Sequence, residues 1–526
     1  MDFNDVERER LRKIEALRAA GIDPYPPRAQ FINERVMAAD AHARAREQGN
    51  ADEALRARFN HPPSAVNRSP MAAAIMGRVV GKRLMGKASF VQLEDGTGKL
   101  QIYARIGDDS LSKESFDLFK DLDLGDFIEA RGELFITKTH EPTLRVAAWN
   151  MLAKAISQLP IAKEEKQPDG SVVRYSAFSS PELRYRQRYA DLAVNPEVRE
   201  VFILRANIIK AIREFLDAHG FLEVETPVLQ PLYGGAAARP FTTHHNQLDQ
   251  DLYLRISFEL YLKRLVAGNI ERVYEIGRDF RNEGVSFKHN PEFTMLEFYA
   301  AYMDMYAVMD LTESMLQYIA RRVLPPAANG VTQFRGHAVN WLQPFKRQTL
   351  REVILEKTGV DYALFPDVES LNAEVTRLKL LKPDAVVGKP WGKVIDALIG
   401  DYVEKDLIDP TFLYEYPRDI SPFAKSKPDD PNTVERFEGF IGGAEFLNAF
   451  SELNDPVDQH QRFVAENINA GEGEANPVDE DYVQALRYGM PVCGGFGMGI
   501  DRLVMMFANK DTIREIILFP HLRKEE

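Results

Sequence analysis

One cysteine, Cys493, is all that this chain of 526 residues contains. That excludes an internal disulfide and any cysteine-rich zinc site, and it suits a reducing compartment. No apolar run reaches the ~18–20 residues a membrane span needs. The opening residues MDFNDVERERLRKIEALRAAGIDPYPPRAQ have no apolar signal-peptide core. A cytoplasmic chain with no membrane partner is therefore expected. Ten histidines are scattered without metal-site spacing, and there are no internal repeats. Net positive charge is also lacking. A formal charge of −13 argues against a surface coated in nucleic acid, but a local basic patch remains open, because phosphate binding depends on where Lys and Arg sit.

The length exceeds what one core usually serves, so several domains are expected. Residues 1–65 read as an Arg- and Ala-rich helical extension, broken at Asp23-Pro24-Tyr25-Pro26-Pro27 and either solvated or a functional arm; His61-Pro62-Pro63-Ser64 reads as its linker. Within 66–157 the pattern becomes period-2 runs bounded by turn residues: AAIMGRVV, ASFVQLED, GKLQIYAR, DFIEARGELF and TLRVAAWNM. Short strands so closely spaced suggest a small OB-type barrel. A linker at 158–195, polar over 163–180, leads into a mixed α/β region at 196–526. That region opens with an amphipathic helix bearing Val201, Phe202, Ile208, Ile209, Ile212, Phe215 and Leu216 on one side and ended by Gly220. The stretch 325–425 reads as an insertion with no role beyond structure.

On the barrel, alternation turns Val91, Leu93, Leu100, Ile102 and Ala104 inward and leaves Phe90, Gln92, Gln101 and Tyr103 on one outer face. With Lys82, Arg83, Lys87 and Lys99 around them, these aromatics and amides would form a stacking platform for single-stranded bases. Burial of Phe90 under the helical extension explains the same pattern equally well, and the barrel alone does not decide. The run from Gly81 to Ala88 nearly matches the phosphate loop GxxxxGK[ST]. It fails because Ala88 has no hydroxyl for Mg²⁺ and a strand follows where a helix is required.

Chemistry concentrates further on. HGFLEVETPVLQ at 219–230 reads as a helix end, a strand and Pro227. RVYEIGRDFRNEGVSFKHNPEFTMLEFYAAY at 272–302 reads as strand, turn, strand, with Glu275, Arg278, Arg281, Glu283, Glu292 and Glu297 among apolar residues. Such charges are costly in a core unless paired or bound to a ligand; an exposed hairpin laced by salt bridges is the alternative. In GGFGMGIDRLVMMF at 494–507 the glycines have the wrong spacing for a dinucleotide loop and run into a helix carrying Asp501 and Arg502 in its first turn. There a ring or a phosphate could approach the backbone, and an Arg could reach it.

Together FRNEG at 280–284, HNPEF at 289–293 and GMGIDR at 497–502 resemble the signature motifs of class II aminoacyl-tRNA synthetases. GGAAARPFTTHHN at 234–246, ELYLKRL at 259–265 and FSELND at 450–455 resemble the lysyl branch of subclass b, bacterial type. The likeness runs from about residue 71 to the end. It implies an α+β chain, an OB-fold anticodon-binding barrel followed by an antiparallel catalytic sheet flanked by helices, and a homodimer built partly around Pro227.

The substrates it implies are ATP, L-lysine and tRNA(Lys), with Mg²⁺ as cofactor. Arg281 and Arg502 would be catalytic, Arg281 against the lysine carboxylate and α-phosphate and Arg502 on the γ-phosphate. The rest of the ATP site would be Glu283, His289, Asn290, Phe293, Glu438 and Gly499, and the metal would sit on Glu438 and Glu445. For lysine, the resemblance assigns Glu259, Glu297 and Gly235 to the α-ammonium, Glu452 and Tyr299 to the ε-ammonium, and Asn448 and Phe450 to the carboxylate and stem. Arg83, Phe90, Gln101 and Glu141 would read the anticodon. The sequence departs from the family at Phe258, Ala444 and Leu447, and a bulky Leu447 is expected to narrow the cavity. Two rivals are a ligase placing a lysine-like amino acid on a protein acceptor, disfavoured by the barrel, and a non-catalytic nucleic-acid-binding paralogue, disfavoured by intact Arg281, Arg502, Glu438 and Glu445. Specificity for aspartate or asparagine is disfavoured because the three converging glutamates of this chain would repel an acidic substrate and suit an amide poorly.

Overall fold

Period-2 patterning in residues 72–153 closes a five-stranded barrel in the order β1-β2-β3-β5-β4, with β1 at Ala72–Met85, β2 at Ala88–Glu94, β3 at Lys99–Arg105, β4 at Phe127–Ile136 and β5 at Pro142–Ala153. The computed structural model describes residues 1–47, 72–107, 110–161, 163–166, 172–175, 178, 180–382, 386–469 and 477–524. The expected linker at His61–Ser64 lies outside them. Val91, Leu93, Leu100, Ile102 and Ala104 all point into the barrel and are fully buried. The near-match to a phosphate loop is the β1–β2 hairpin, turning at Gly86 with φ 59°.

The N-terminal extension is not a solvated arm. Its helix Asp5–Ala19 starts at an Asn4–Glu7 capping box and presents buried Arg10, which donates to the carbonyls of Leu124, Ala155 and Ser157. The N–H groups of Gln30 and Phe31 donate to buried Glu129 on β4. All of this belongs to one compact unit, Met1–Ser179. Within it, β6 at Lys163–Lys166 pairs antiparallel with β7 at Val172–Tyr175, a hairpin in the stretch read as a polar linker.

The second unit, Ser180–Glu526, is built on an eight-stranded sheet in the order β16-β17-β18-β19-β20-β13-β12-β8. Its strands are β8 at Leu222–Glu223, β12 at Arg272–Phe280, β13 at Glu292–Ala301, β16 at Lys346–Thr349, β17 at Thr411–Pro417, β18 at Thr433–Ile441, β19 at Ala444–Ser451 and β20 at Cys493–Gly499. All inner pairings are antiparallel; β8 and β16 join the edges in parallel. Smaller sheets hold β9 (Leu229–Gln230), β10 (Thr242–His245) and β11 (Gln250–Leu254), and β14 (Val331–Phe334) with β15 (His337–Asn340). This is the expected α+β sheet.

Residues 325–425 are more than an insertion, since β16 and β17 come from them and form one edge of the main sheet. Their four and seven residues are too short to stand out from a helical background in the sequence. The helices Pro196–Ala218, Met305–Val323 and Ile500–Ala508 share one core with Phe298, Phe496, Leu447 and Ala449. Phe298 stacks on Phe496 across β13 and β20, centroids 4.5 Å apart. A pair of this kind contributes about 0.5–1.5 kcal/mol and holds the charged hairpin against the glycine strand.

Candidate active site

The glycine strand creates the space. On β20, Gly497 stands between Glu297 of β13 and Asn448 of β19. A Cβ on Gly495 would collide with the Glu452 carboxylate and the Tyr299 ring. Any side chain there would therefore evict the acids that the neighbouring strands supply. The result is a cavity of about 700 Å³ whose wall includes Gly235, Glu259, Arg281, Glu297, Asn448 and Arg502.

Three glutamates meet at one end, Glu259, Glu297 and Glu452, all essentially buried. Lys263, four residues after Glu259 on the helix Glu259–Ala267 and with no exposure at all, joins two of them. Its Nζ is 2.7 Å from Glu259 Oε1 and contacts Glu452 Oε2. Glu297 accepts from the Ser257 hydroxyl at 2.9 Å and from the Tyr299 hydroxyl at 3.2 Å. Burial and the neighbouring Glu259 push the Glu297 carboxyl up to about 7. Burial raises Glu259 and Glu452 as well, while burial pulls the Lys263 ammonium down and its two carboxylate neighbours more than restore it. Three acids against one internal ammonium leave carboxyls that burial biases toward their neutral form and that a cationic guest would ionise.

The acids assigned to the two ammonium ends are linked in one network. Tyr299 donates to Glu297 and not to Glu452, and Lys263 links Glu259 to Glu452, so the acids form one connected cluster. Glu452 is not on the cavity wall but buried 1% exposed beneath it. Leu447 borders the cavity but also packs into the core. It packs over Gly439, where a Cβ would lie 2.6 Å from Leu447 Cγ, and it shares the opposite face of the sheet with Ala449. Phe258 is fully buried beneath the Arg255 guanidinium, 4.1 Å from its ring centre.

At the other end the two arginines from distant motifs share the cavity. Arg281 is anchored by its backbone N–H to Pro291 O at 2.9 Å and lies 5.1 Å over the Phe293 ring. Its side chain reaches only the Ile256 carbonyl, at 3.4 Å, and makes no salt bridge among the described residues. Arg502, in the first turn of the helix Ile500–Ala508, donates to Glu445 O at 2.8 Å and approaches Glu445 Oε2 and His289 Nε2 at 3.3 and 3.5 Å. Burial and the adjacent Arg502 hold the His289 imidazole below its usual value. Glu283, Asn290, Phe293 and Gly499 complete this end of the wall. Asp501 instead pins the helix to the hairpin by accepting from Thr294 N at 2.9 Å and from Arg205.

Glu438 and Glu445 face the same cavity. Glu438 accepts from Arg436 at 2.6 Å and from the Tyr416 hydroxyl at 2.8 Å, and burial, with Glu445 adding repulsion, pushes its carboxyl up to about 7. Among the described residues no cluster of three or more His, Cys, Asp and Glu could hold a metal by itself. Two hard-oxygen acids facing one cavity do suit a dication that keeps most of its own water and phosphate ligands.

In the first unit, alternation places the platform as expected. Phe90 and Tyr103 are half-buried, with ring centres 4.9 Å apart, and Arg83 lies 5.3 Å over Phe90. Gln101 Nε2 donates to Thr143 Oγ1 at 2.9 Å, and Thr143 donates on to Glu141 O at 3.1 Å. Phe90 and Tyr103 stand partly exposed rather than fully buried. Lys82 is the correction here. Its Nζ is spent on the carbonyls of Lys120 and Leu122, because it pairs with inward-facing Val91 and so points to the opposite side from Arg83.

The sequence reading missed several participants. Lys263 was visible at the i,i+4 spacing from Glu259. Arg436 shares a strand face with Glu438 at i+2. Phe135, edge-on to Tyr103 at 6.3 Å with Arg145 over it at 5.2 Å, extends the platform from β4, and no local pattern brought that strand beside the others.

Residues 180–523 match the family of tRNA synthetases class II (D, K and N), and residues 73–152 match the OB-fold nucleic acid binding domain. Curated relatives are the lysine–tRNA ligases of Roseiflexus castenholzii, 45% identical over 100% of both chains, and of Moorella thermoacetica, 45% identical over 99% of both. The lysine–tRNA ligase of Carboxydothermus hydrogenoformans is 45% identical over 100% of this chain and 99% of its own.

Proposed function

Since the chain belongs to the class II tRNA synthetases (D, K and N), and along its full length to the lysine–tRNA ligases, we propose that the second unit's cavity holds lysine and ATP and that the barrel reads tRNA(Lys). The activity is ATP-dependent joining of lysine to tRNA. The observation that carries the residue assignment is the buried Glu259–Glu297–Glu452 cluster at one end of a cavity whose other end holds Arg281 and Arg502.

Lysine brings two ammonium groups and one carboxylate. The acids take the ammoniums, with Gly235 leaving room beside Glu259, while Asn448 and Phe450 line the stem. Arg281, having no salt bridge of its own, is available to draw the lysine carboxylate onto the α-phosphorus of ATP and to stabilise the charge that develops there. The new bond joins carboxylate oxygen to phosphorus as pyrophosphate departs. Phe293 supports the adenine, Glu283, His289 and Asn290 line its approach, and Arg502 holds the γ-phosphate beside Gly499. Mg²⁺ bound by Glu438 and Glu445 would neutralise the phosphates. In the second step the terminal ribose hydroxyl of tRNA attacks the adenylate carbonyl and AMP leaves; no side chain in the cavity needs to act as general base.

A homodimer is supported by Leu222, Val228, Leu229 and Leu232 around Pro227, which are 40–54% exposed on the single chain. Work in the cytoplasm is supported by a lone buried thiol, Cys493; among the described residues no helix is long and apolar enough to cross a membrane. Lysine-dependent ATP–pyrophosphate exchange tests the assignment. Exchange with lysine is expected; exchange with no amino acid overturns the enzyme reading, and exchange with a different one overturns the specificity.

A further inference from the structure

We propose that Arg335 takes hold of the departing pyrophosphate in a small second cavity behind Arg502; this rests on the ligase reading above. The cavity is about 120 Å³ and shares only Lys288, Glu445 and Arg502 with the substrate cavity. All three stand at the arginine end, so the small cavity adjoins the γ-phosphate position and not the lysine position. When the bond to the α-phosphorus of ATP breaks, pyrophosphate carries off the electron pair and gains a negative oxygen. A further cation beyond Arg502 would then draw it away from the adenylate.

The backbone places that cation under strain. β14 and β15 pair Phe334 with His337, which leaves Arg335 and Gly336 as a two-residue turn. Both have positive φ, 50° and 83°, as a type I′ turn requires, and the first position of such a turn favours Asn, Asp or Gly. An Arg held there is out of place for the turn alone, and backbone strain of this kind gathers at functional sites. The base is firm: a Cβ on Gly442 would collide with the Phe334 ring, and the Phe287 carbonyl accepts from Ile513 N–H at 2.8 Å. Between these two rings lies the Arg335 guanidinium, 5.0 Å from the centre of Phe334 and 5.8 Å from that of Phe287. Among the described residues it makes no salt bridge, and its one hydrogen bond, to Gly442 O, is long at 3.5 Å. The charged groups lining the small cavity are Lys288, Arg335 and Arg502 against Glu404 and Glu445. Glu445 is already engaged by Arg502 at 3.3 Å, so the surplus is positive. A planar guanidinium on a fixed base, with its donors uncommitted, suits a phosphate oxygen.

The experiment measures Arg335→Asn in the full chain, because Asn suits the turn and preserves the hairpin. In lysine-dependent ATP–pyrophosphate exchange the pyrophosphate KM should rise about tenfold, the loss of one charged hydrogen bond, while the KM values of ATP and lysine stay within about twofold. Thermal unfolding should come no earlier than in wild type, and Arg335→Lys should recover part of the pyrophosphate KM. Should Asn lower the unfolding temperature, Arg335→Gly, which the same turn accepts, repeats the measurement. An unchanged pyrophosphate KM would overturn the assignment. So would ATP and pyrophosphate KM values rising in step, since Arg335 would then only brace the Phe287 loop. Absence of exchange in the wild-type chain would overturn the ligase reading instead.

Discussion

The barrel face and the substrate cavity use burial in opposite ways. On the barrel, Phe90, Tyr103 and Gln101 stand half-exposed on the outside of a largely apolar interior. In the second unit, Glu259, Glu297, Glu452 and Lys263 are sunk where charge is most expensive. A half-exposed ring gives up little when unoccupied, so its contribution to binding is modest and tolerant of sequence. A buried unpaired carboxylate gives up much, so its contribution is large and tied to one chemistry. Substitutions on the two surfaces should therefore differ in size and in which activity they touch.

The widest separation should come from Arg281→Ala. Removing the unpaired cation from the reacting end should lower lysine-dependent exchange by about 10³, in the range seen when one transition-state donor is lost. A loss in tRNA charging with exchange intact would break the comparison. Glu452→Gln should come next, raising the lysine KM by about 100-fold, since it strips a buried charge from a cation site. If that variant bound lysine normally, the acid cluster would be a structural ion pair around Lys263 and nothing more. On the barrel, Phe90→Ala should leave exchange unchanged and weaken tRNA charging by roughly tenfold, the scale of one lost base stack at about 1–3 kcal/mol. Equal damage to both activities would erase the division of labour.

How much of this was legible in the sequence follows the same line. The barrel's inner and outer faces were readable because alternation needs only neighbours along one strand, as Val91, Leu93, Leu100 and Ile102 demonstrate. The cavity was not readable that way. Glu259 sits on a helix, Glu297 and Glu452 on or beside strands far apart in the chain, and β20 comes between them only through tertiary pairing. A resemblance to a family named the residues, but not the hydrogen bond by which Tyr299 joins Glu297 in the fold. The packing of Leu447 was hidden for a related reason, since its partner Gly439 lies on another strand and the two volumes compensate only in three dimensions.

Acidity gives a finer test of the cavity. Glu297 titrates near 4.5 when unfolded and is pushed up to about 7 in the folded chain, by burial first. Between those values the unfolded chain has released a proton that the folded chain keeps. Stability is therefore full below the lower value and declines as pH rises through the upper one. A lysine ammonium favours the ionised carboxylate, so lysine affinity should change the other way, weakening about tenfold per pH unit below 7 if one proton is displaced. Calorimetry without ATP, at pH 6 and pH 8 and in buffers of different ionisation enthalpy, counts that proton. A dissociation constant flat across the range would remove Glu297 from the ammonium site.

Lys82 should give the smallest effect on RNA. By sequence it belongs with Arg83 in a basic rim around Phe90, and a formal count of charges would give both residues equal weight. The β1–β2 register separates them: Arg83 pairs with Phe90 and lies over its ring, while Lys82 pairs with Val91 and donates to the carbonyls of Lys120 and Leu122. A cation already committed to two backbone acceptors has little field left for phosphate. Lys82→Met should therefore leave the tRNA dissociation constant within about twofold while lowering barrel stability by about 1 kcal/mol, the net value of a hydrogen bond. Arg83→Met should do the reverse, weakening RNA binding with little loss of stability. Measuring both by salt-dependent tRNA binding and thermal unfolding decides it, because a Lys82 variant that lost salt dependence would place its charge on the RNA face despite the register.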